Sequence, residues 1–255
     1  MKSKKDRLFL FLATFFIANA IIAEIIGGKL VVLGDPSFNF MVDLGFFKSP
    51  IGPFILSVGV IPWPIVFLST DLINEFYGKK GVRQITNIAV VLILYVFFII
   101  YMTMIPDAAE GISPVTDEAY KQVLNQSLWI IFGSIIAFLV SQIVDVVVFH
   151  IFRRKTGSQK LWLRATGSTA VSQLIDSVII LGIAFYLPGK ISLPEYLGFA
   201  ITNYTYKLFI AILITPLIYL GHGLIDRYLG SELAEEMAVE AAHASVGKVK
   251  ESYFD

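Results

Sequence analysis

Apolar and polar positions alternate along this chain in long blocks rather than residue by residue. Six stretches read as nearly continuous apolar runs: approximately Leu8 to Leu33, Phe54 to Phe76, Ile85 to Ile105, Leu128 to Phe152, Ser168 to Leu187 and Tyr196 to Leu220. A bilayer core is about 30 Å thick and takes about 20 residues of helix to cross, so each run qualifies as a span. Backbone N–H and C=O groups in lipid must find partners within their own segment, which makes runs of this length helices. Membrane strands would instead alternate over about ten residues. The pattern predicts an all-α polytopic membrane protein with six transmembrane helices within residues 1–230. Residues 231–255 are Ala- and Glu-rich and predict a cytoplasmic tail helix that frays, with no chemistry attached.

Basic residues orient the spans. Lys2, Lys4, Lys5, Arg7, Lys79, Lys80, Arg83, Arg153, Arg154, Lys155, Lys160, Arg164, Arg227, Lys248 and Lys250 all fall on one side, which leaves Lys48, Lys121 and Lys190 on the other. By the positive-inside rule the rich side is cytoplasmic, with both termini there, in a multi-pass protein of the cell inner membrane. Lys2 to Arg7, the apolar run behind them and Ala18-Asn19-Ala20 imitate a secretory signal. The run continues to Ile26, which predicts an uncleaved first span.

Composition agrees and narrows the chemistry. Of 255 residues, 56% are hydrophobic and 16% charged, against about 25% charged in soluble domains. Formal net charge is zero, which gives no sign of a nucleic-acid partner. The chain has no Cys and only His150, His222 and His243, too scattered for a metal cluster, so no metal or cofactor is expected. Many small residues in the spans are compatible with a homodimer.

The polar residues inside the spans carry the functional signal, because each ionisable group at membrane depth costs at least about 2.5 kcal/mol. Asn19 lies about 18 Å in from Arg7 along the first helix, and Glu24 lies deeper. Lys29 can snorkel to the outer surface. Pro62-Trp63-Pro64 breaks the second span, and broken helices at this depth tend to line cavities, although packing alone also explains a kink. Asp71 and Glu75, four apart, share a face; Glu75 has Lys79 within reach, while Asp71 sits about 12 Å inside it. In the last span Asn203 and Lys207 share a face, and Lys207 needs a carboxylate from among Glu24, Asp71, Asp145 and Asp176.

Spans four and five contain a repeat. Val140-Ser141-Gln142-Ile143-Val144-Asp145 parallels Val171-Ser172-Gln173-Leu174-Ile175-Asp176, with the basic loop between the copies. One copy ends a span entering the basic side and the other begins the span leaving it, so a hairpin brings them to similar depth. Ser and Gln there serve either as interhelical glue or as ligand contacts; carboxylates are poor glue in lipid. The expected cavity is central, polar and nearer the basic side. The acidic segment from Pro106 to Gln126 is either a lid over an entrance or a solvated loop, and Asp35 to Pro53 predicts a short structured loop.

The stretch Ile61-Pro62 through Phe67-Leu68-Ser69-Thr70-Asp71-Leu72-Ile73-Asn74-Glu75-Phe76-Tyr77-Gly78-Lys79-Lys80 resembles the signature of the queuosine precursor transporters, also called the putative vitamin uptake transporter family. Asn19 with Ala23-Glu24, and Arg164 with Ser172, Gln173, Ile175, Asp176 and Ser177, extend the resemblance over nearly the whole chain. Its one small departure is the second proline of Pro62-Trp63-Pro64, which leaves the kink geometry open. The resemblance implies import of 7-deazaguanines (the cyano and aminomethyl forms, or queuine) for tRNA modification. A carboxylate suits the N–H edge of such a base, with Asp176 or Glu75 the first choice; Gln or Asn suits its carbonyl, and Trp63, Phe67 or Tyr206 its ring face. The residues expected to line the site are Asn19, Glu24, Trp63, Phe67, Asp71, Glu75, Gln142, Asp145, Gln173, Asp176, Asn203 and Lys207.

No phosphate-binding Gly-rich loop is present, so the chain does not itself hydrolyse ATP. It either transports alone or, since six spans in this length resemble the substrate-binding subunits of energy-coupling-factor transporters, serves an ATPase-driven importer. An intramembrane enzyme would rest on the two repeated Asp alone, which is weak, and a purely structural subunit leaves the buried charges unexplained.

Overall fold

The computed structural model describes residues 3–32, 40–43, 48–51, 55–125, 128–156 and 160–251. Leu33, Phe54 and the tail beyond Glu251 lie outside them. Helix α1 (Lys4–Ile26) starts at a capping box in which Ser3 accepts from the Asp6 amide and Asp6 from the Ser3 amide, and it ends at Gly27. It therefore stops short of the predicted end of the first span. Lys29 stands beyond it, at the start of a two-stranded antiparallel ribbon of β1 (Leu30–Val32) and β4 (Ile55–Ser57). A second ribbon, β2 (Phe40–Asp43) with β3 (Lys48–Ile51), occupies the segment expected to be a structured loop.

The second predicted span is not helical over its whole length. After β4 comes a 3-10 turn, Val58–Val60, and helix α2 (Trp63–Thr103) begins only beyond Ile61 and Pro62. The prolines explain this: Pro62 precedes the first turn and Pro64 lies within it, where the missing N–H costs nothing. Counted from Val58, the helical segment covers 46 residues, or about 69 Å if straight, more than twice a bilayer core. It breaks at Gly78 (φ 62, ψ −165) into arms 63–77 and 79–103, the second and third spans. With α4 (Leu128–Thr156), α5 (Leu161–Leu181, followed by a π-helical turn Gly182–Tyr186) and α6 (Leu193–Leu229), the chain has the architecture of a polytopic all-α membrane protein. Short α3 (Asp117–Leu124) buries no residue.

Large apolar side chains such as Phe11, Val91, Leu94, Phe98, Phe209 and Leu213 point outward, while Asp71, Asn74, Glu75, Arg164 and Lys207 are buried. This distribution fits a lipid solvent and a polar interior. The segments that carry the basic residues gather at one end: Lys4 Nζ donates to the Tyr228 carbonyl at 3.0 Å, and the Tyr77 hydroxyl to the Lys5 carbonyl at 2.7 Å. Helix α7 (Ser231–Glu251) docks there, with Ala234, Met237 and Ala241 buried, so the tail is an integral cap up to that point.

Two glycines set the geometry around the second span. At Gly59 a Cβ would stand 2.6 Å from the Ala23 carbonyl oxygen, so only glycine lets the 3-10 turn lie against α1. Gly78 has a backbone conformation that L side chains avoid, and it packs against Ala241 of α7. Gly78→Ala is expected to destabilise the protein by about 1–3 kcal/mol, measured as a lower denaturation midpoint in detergent. An unchanged midpoint would show that the arms do not depend on this bend.

Candidate functional site

Polar side chains form a column through the bundle in three strata. The first is a cavity of about 210 Å³ whose lining includes Glu24, Trp63, Ser134, Asp176, Asn203 and Lys207. The places where α1 stops and the second span is unwound create the space, since Gly27, Gly28, Leu30, Ser57 and Gly59 also line it. Gly28 and Leu30 are exposed, so the cavity reaches the surface. It lies at the end opposite the basic cluster, and not nearer to that cluster as the sequence pattern suggested. The cause is the local unwinding of both segments, which apolar periodicity does not reveal.

Inside the cavity, Lys207 resolves its choice among four carboxylates: Nζ pairs with Asp176 Oδ2, both groups being buried. The ammonium also stands 5.8 Å from the centre of the Trp63 ring, a cation–π contact. Asn203 donates its amide to the Phe199 carbonyl at 3.0 Å, which leaves the side-chain oxygen as the acceptor. Glu24 lies beside Ser134 and within electrostatic reach of Asp176 and Lys207.

The second stratum surrounds a small void of about 10 Å³ lined by Phe67, Thr70, Ser141, Gln142, Asp145, Thr169, Ser172 and Gln173. Here the repeat closes on itself. Ser141 Oγ donates to Asp176 at 3.4 Å and Ser172 Oγ donates to Asp145 at 3.2 Å, so each copy's serine holds the other copy's aspartate. The antiparallel hairpin of α4 and α5 places equal positions opposite each other, which explains the reciprocity. Gln142 reaches Thr70 at 3.4 Å and ties this hairpin to α2.

The third stratum is an ion-pair cluster at the basic end. Arg164 Nη2 lies 2.9 Å and Arg153 Nη2 3.6 Å from Glu75 Oε1. Glu75 therefore pairs with arginines of α4 and α5 and not with Lys79. Arg153 also donates to the Ala238 carbonyl at 2.5 Å, tying α7 to the bundle. Two basic residues counted toward the orienting loops, Arg153 and Arg164, thus turn inward and are buried.

Of the residues expected to line one site, Glu24, Trp63, Asp176, Asn203 and Lys207 meet in the cavity. Phe67, Gln142, Asp145 and Gln173 meet at the smaller void. Asp71 is buried in the second stratum, off the void's lining but within electrostatic reach of Asp145, and Glu75 belongs to the third. Asn19 joins none of them: its amide donates to the Phe15 carbonyl of its own helix at 2.9 Å, on another face of α1. None of the described residues of the acidic segment after Pro106 lines the cavity. Ser134, Phe185 and Phe199 were not anticipated, because nothing local separates them from lipid-facing neighbours. Among the described residues no group of three His, Asp or Glu stands ready to hold a metal.

An apolar exterior around a buried charged column, with a cavity of molecular size between the helices, is the organisation of a membrane transporter. Residues 57–221 match the family described as putative vitamin uptake transporter, and the chain belongs to that family. It is a transporter of a small molecule and not an enzyme. It is 29% identical over 170 residues to a probable queuosine precursor transporter of Bacillus subtilis (strain 168), covering 66% of this chain and 72% of that one. To the queuosine precursor transporter of Escherichia coli (strain K12) it is 26% identical over 210 residues, 82% of this chain and 89% of that one. A probable queuosine precursor transporter of Haemophilus influenzae is 26% identical over 162 residues, 61% and 63% of the two chains. No solved structure matches the chain.

Proposed function

We propose that this protein imports queuosine precursors, the 7-deazaguanine bases, across the cell inner membrane, and that the base binds in the 210 Å³ cavity. The basic end is the cytoplasmic end in this reading, so the cavity faces outward. The observation that carries it is the meeting, in one cavity, of a flat aromatic, two carboxylates, an amide and an ammonium. The space is below the roughly 300–1,000 Å³ of drug-sized sites and suits a single bicyclic base. Trp63 stacks on the ring. Lys207 and Asn203 answer the base's carbonyl and pyrrole edge. Glu24, on the cavity lining beside Trp63 and Asn203, accepts from its ring N–H and amino group, while Asp176 holds Lys207 in place and Glu75 lies at the far end.

Binding of the cyano and aminomethyl deazaguanines and queuine to purified protein tests this. Trp63→Ala is expected to weaken binding about 5- to 150-fold, the equivalent of ~1–3 kcal/mol of stacking. Glu24→Gln is expected to weaken it at least about tenfold. Wild-type affinity in both variants would move the site elsewhere; no binding of any deazaguanine to wild-type protein would remove the substrate. Uptake by vesicles holding only this protein separates autonomous transport from service in an ATPase-driven complex.

A further inference from the structure

The middle stratum contains carboxylates that have no charged partner among the described residues. Asp71 and Asp145 are both buried and act on each other electrostatically. Among the described residues neither makes an ion pair, because the nearby cations are committed elsewhere: Lys207 to Asp176, and Arg153 and Arg164 to Glu75. Three buried acceptor oxygens here have no hydrogen-bond partner: Asp71 Oδ1, Asp145 Oδ2 and Gln173 Oε1. Asp145 and Gln173 both line the 10 Å³ void, together with the hydroxyls of Thr70, Thr169 and Ser172. A void of this size has room for one water-sized species.

We propose that the void between α2, α4 and α5 is a sodium site, with Asp145 and Gln173 as ligands, the surrounding hydroxyls completing the shell and Asp71 supplying further negative charge. The chemistry of the lining decides for a cation. The two fully buried, unpartnered atoms at the void, Asp145 Oδ2 and Gln173 Oε1, are both oxygen acceptors, the ligand type that hard cations take. A water molecule there would satisfy hydrogen bonds but leave two buried carboxylates uncompensated. A proton on Asp145 needs no void. The next charged groups along the column are already paired: Glu75, one turn from Asp71 on α2, with Arg153 and Arg164, and Asp176 with Lys207. Because Ser141 and Ser172 link Asp145 and Asp176 crosswise, an ion here touches the same hairpin that holds the cavity's ion pair, the connection that ion-coupled transport requires.

Thermal unfolding of the purified full-length protein in detergent, without substrate, tests the site. At constant ionic strength, replacing choline chloride with NaCl is expected to raise Tm progressively with Na+ concentration, since an ion that binds the folded state stabilises it by mass action. Asp145→Asn is expected to abolish the rise, and Gln173→Leu to shift it to higher Na+. Gln173→Leu and Ser172→Ala carry the test should Asp145→Asn not fold. Equal wild-type Tm in choline and sodium overturns the proposal, as does a Tm that responds to acid and not to Na+, which assigns the stratum to a proton. The titration uses no deazaguanine, so its result is distinct from that of the substrate assay.

Discussion

Lys207→Met is expected to destabilise the protein by about 3–5 kcal/mol and to abolish deazaguanine binding. The stability loss follows from burial: with its cation gone, the buried carboxylate of Asp176 retains, among the described residues, only Ser141 as a hydrogen-bond partner. Such a loss is a large share of the roughly 5–15 kcal/mol that holds an ordinary domain together. The double variant Lys207→Met/Asp176→Leu separates the two effects. Replacing a whole buried pair with apolar side chains is often neutral or stabilising, so the double variant is expected to recover the wild-type unfolding midpoint. It should still fail to bind, because the ammonium that Trp63 and the substrate face is gone. Recovery of binding together with stability would make the pair purely structural.

Arg164→Met is expected to cost a similar amount and to loosen the opposite end of the molecule. Arg164 is 1% exposed and supplies the shorter contact to Glu75; without it Glu75 keeps Arg153 at 3.6 Å. Arg153 in turn holds α7 through the Ala238 carbonyl. A disturbed Glu75–Arg153 contact therefore propagates to the C-terminal cap. The chain has no native Cys, so a single Met237→Cys probe reports on that cap without background. Met237 is buried, and maleimide labelling at this position is expected to be slow in the otherwise native protein and clearly faster with Arg164→Met. Equal labelling rates would show that α7 docks independently of the ion-pair cluster.

The cavity and the cluster sit at opposite ends of one polar column. In the orientation proposed here the cavity faces outward, and the Glu75–Arg153–Arg164 cluster together with α7 closes the cytoplasmic end. Alternating access then requires the cluster to open while the unwound segment near Gly59 closes over the cavity. Residues of α2 belong to both ends, with Trp63 in the cavity and Glu75 in the cluster, and the Gly78 bend marks where the two arms meet.

Membrane residence, the spans and most of the chemistry-bearing residues were determined by the sequence alone. Lipid imposes a length and an apolarity on every crossing, and any charge retained inside it must be compensated; Asp71, Asp145, Asp176 and Lys207 announced themselves on that ground. The repeat around Ser141 and Ser172 likewise implied a hairpin meeting. Only the tertiary structure decided which charges pair. Lys207 had four carboxylates open to it and took Asp176, while Glu75 passed over its helical neighbour Lys79 for Arg164, 89 positions away. It also decided that Asn19 turns to its own backbone, that the cavity lies away from the basic end, and that the tail docks. The reason is common to these cases. Apolarity and spacing act along one helix, whereas pairing depends on the rotation of each helix about its axis and on where its backbone unwinds, and both are set by neighbours distant in the chain.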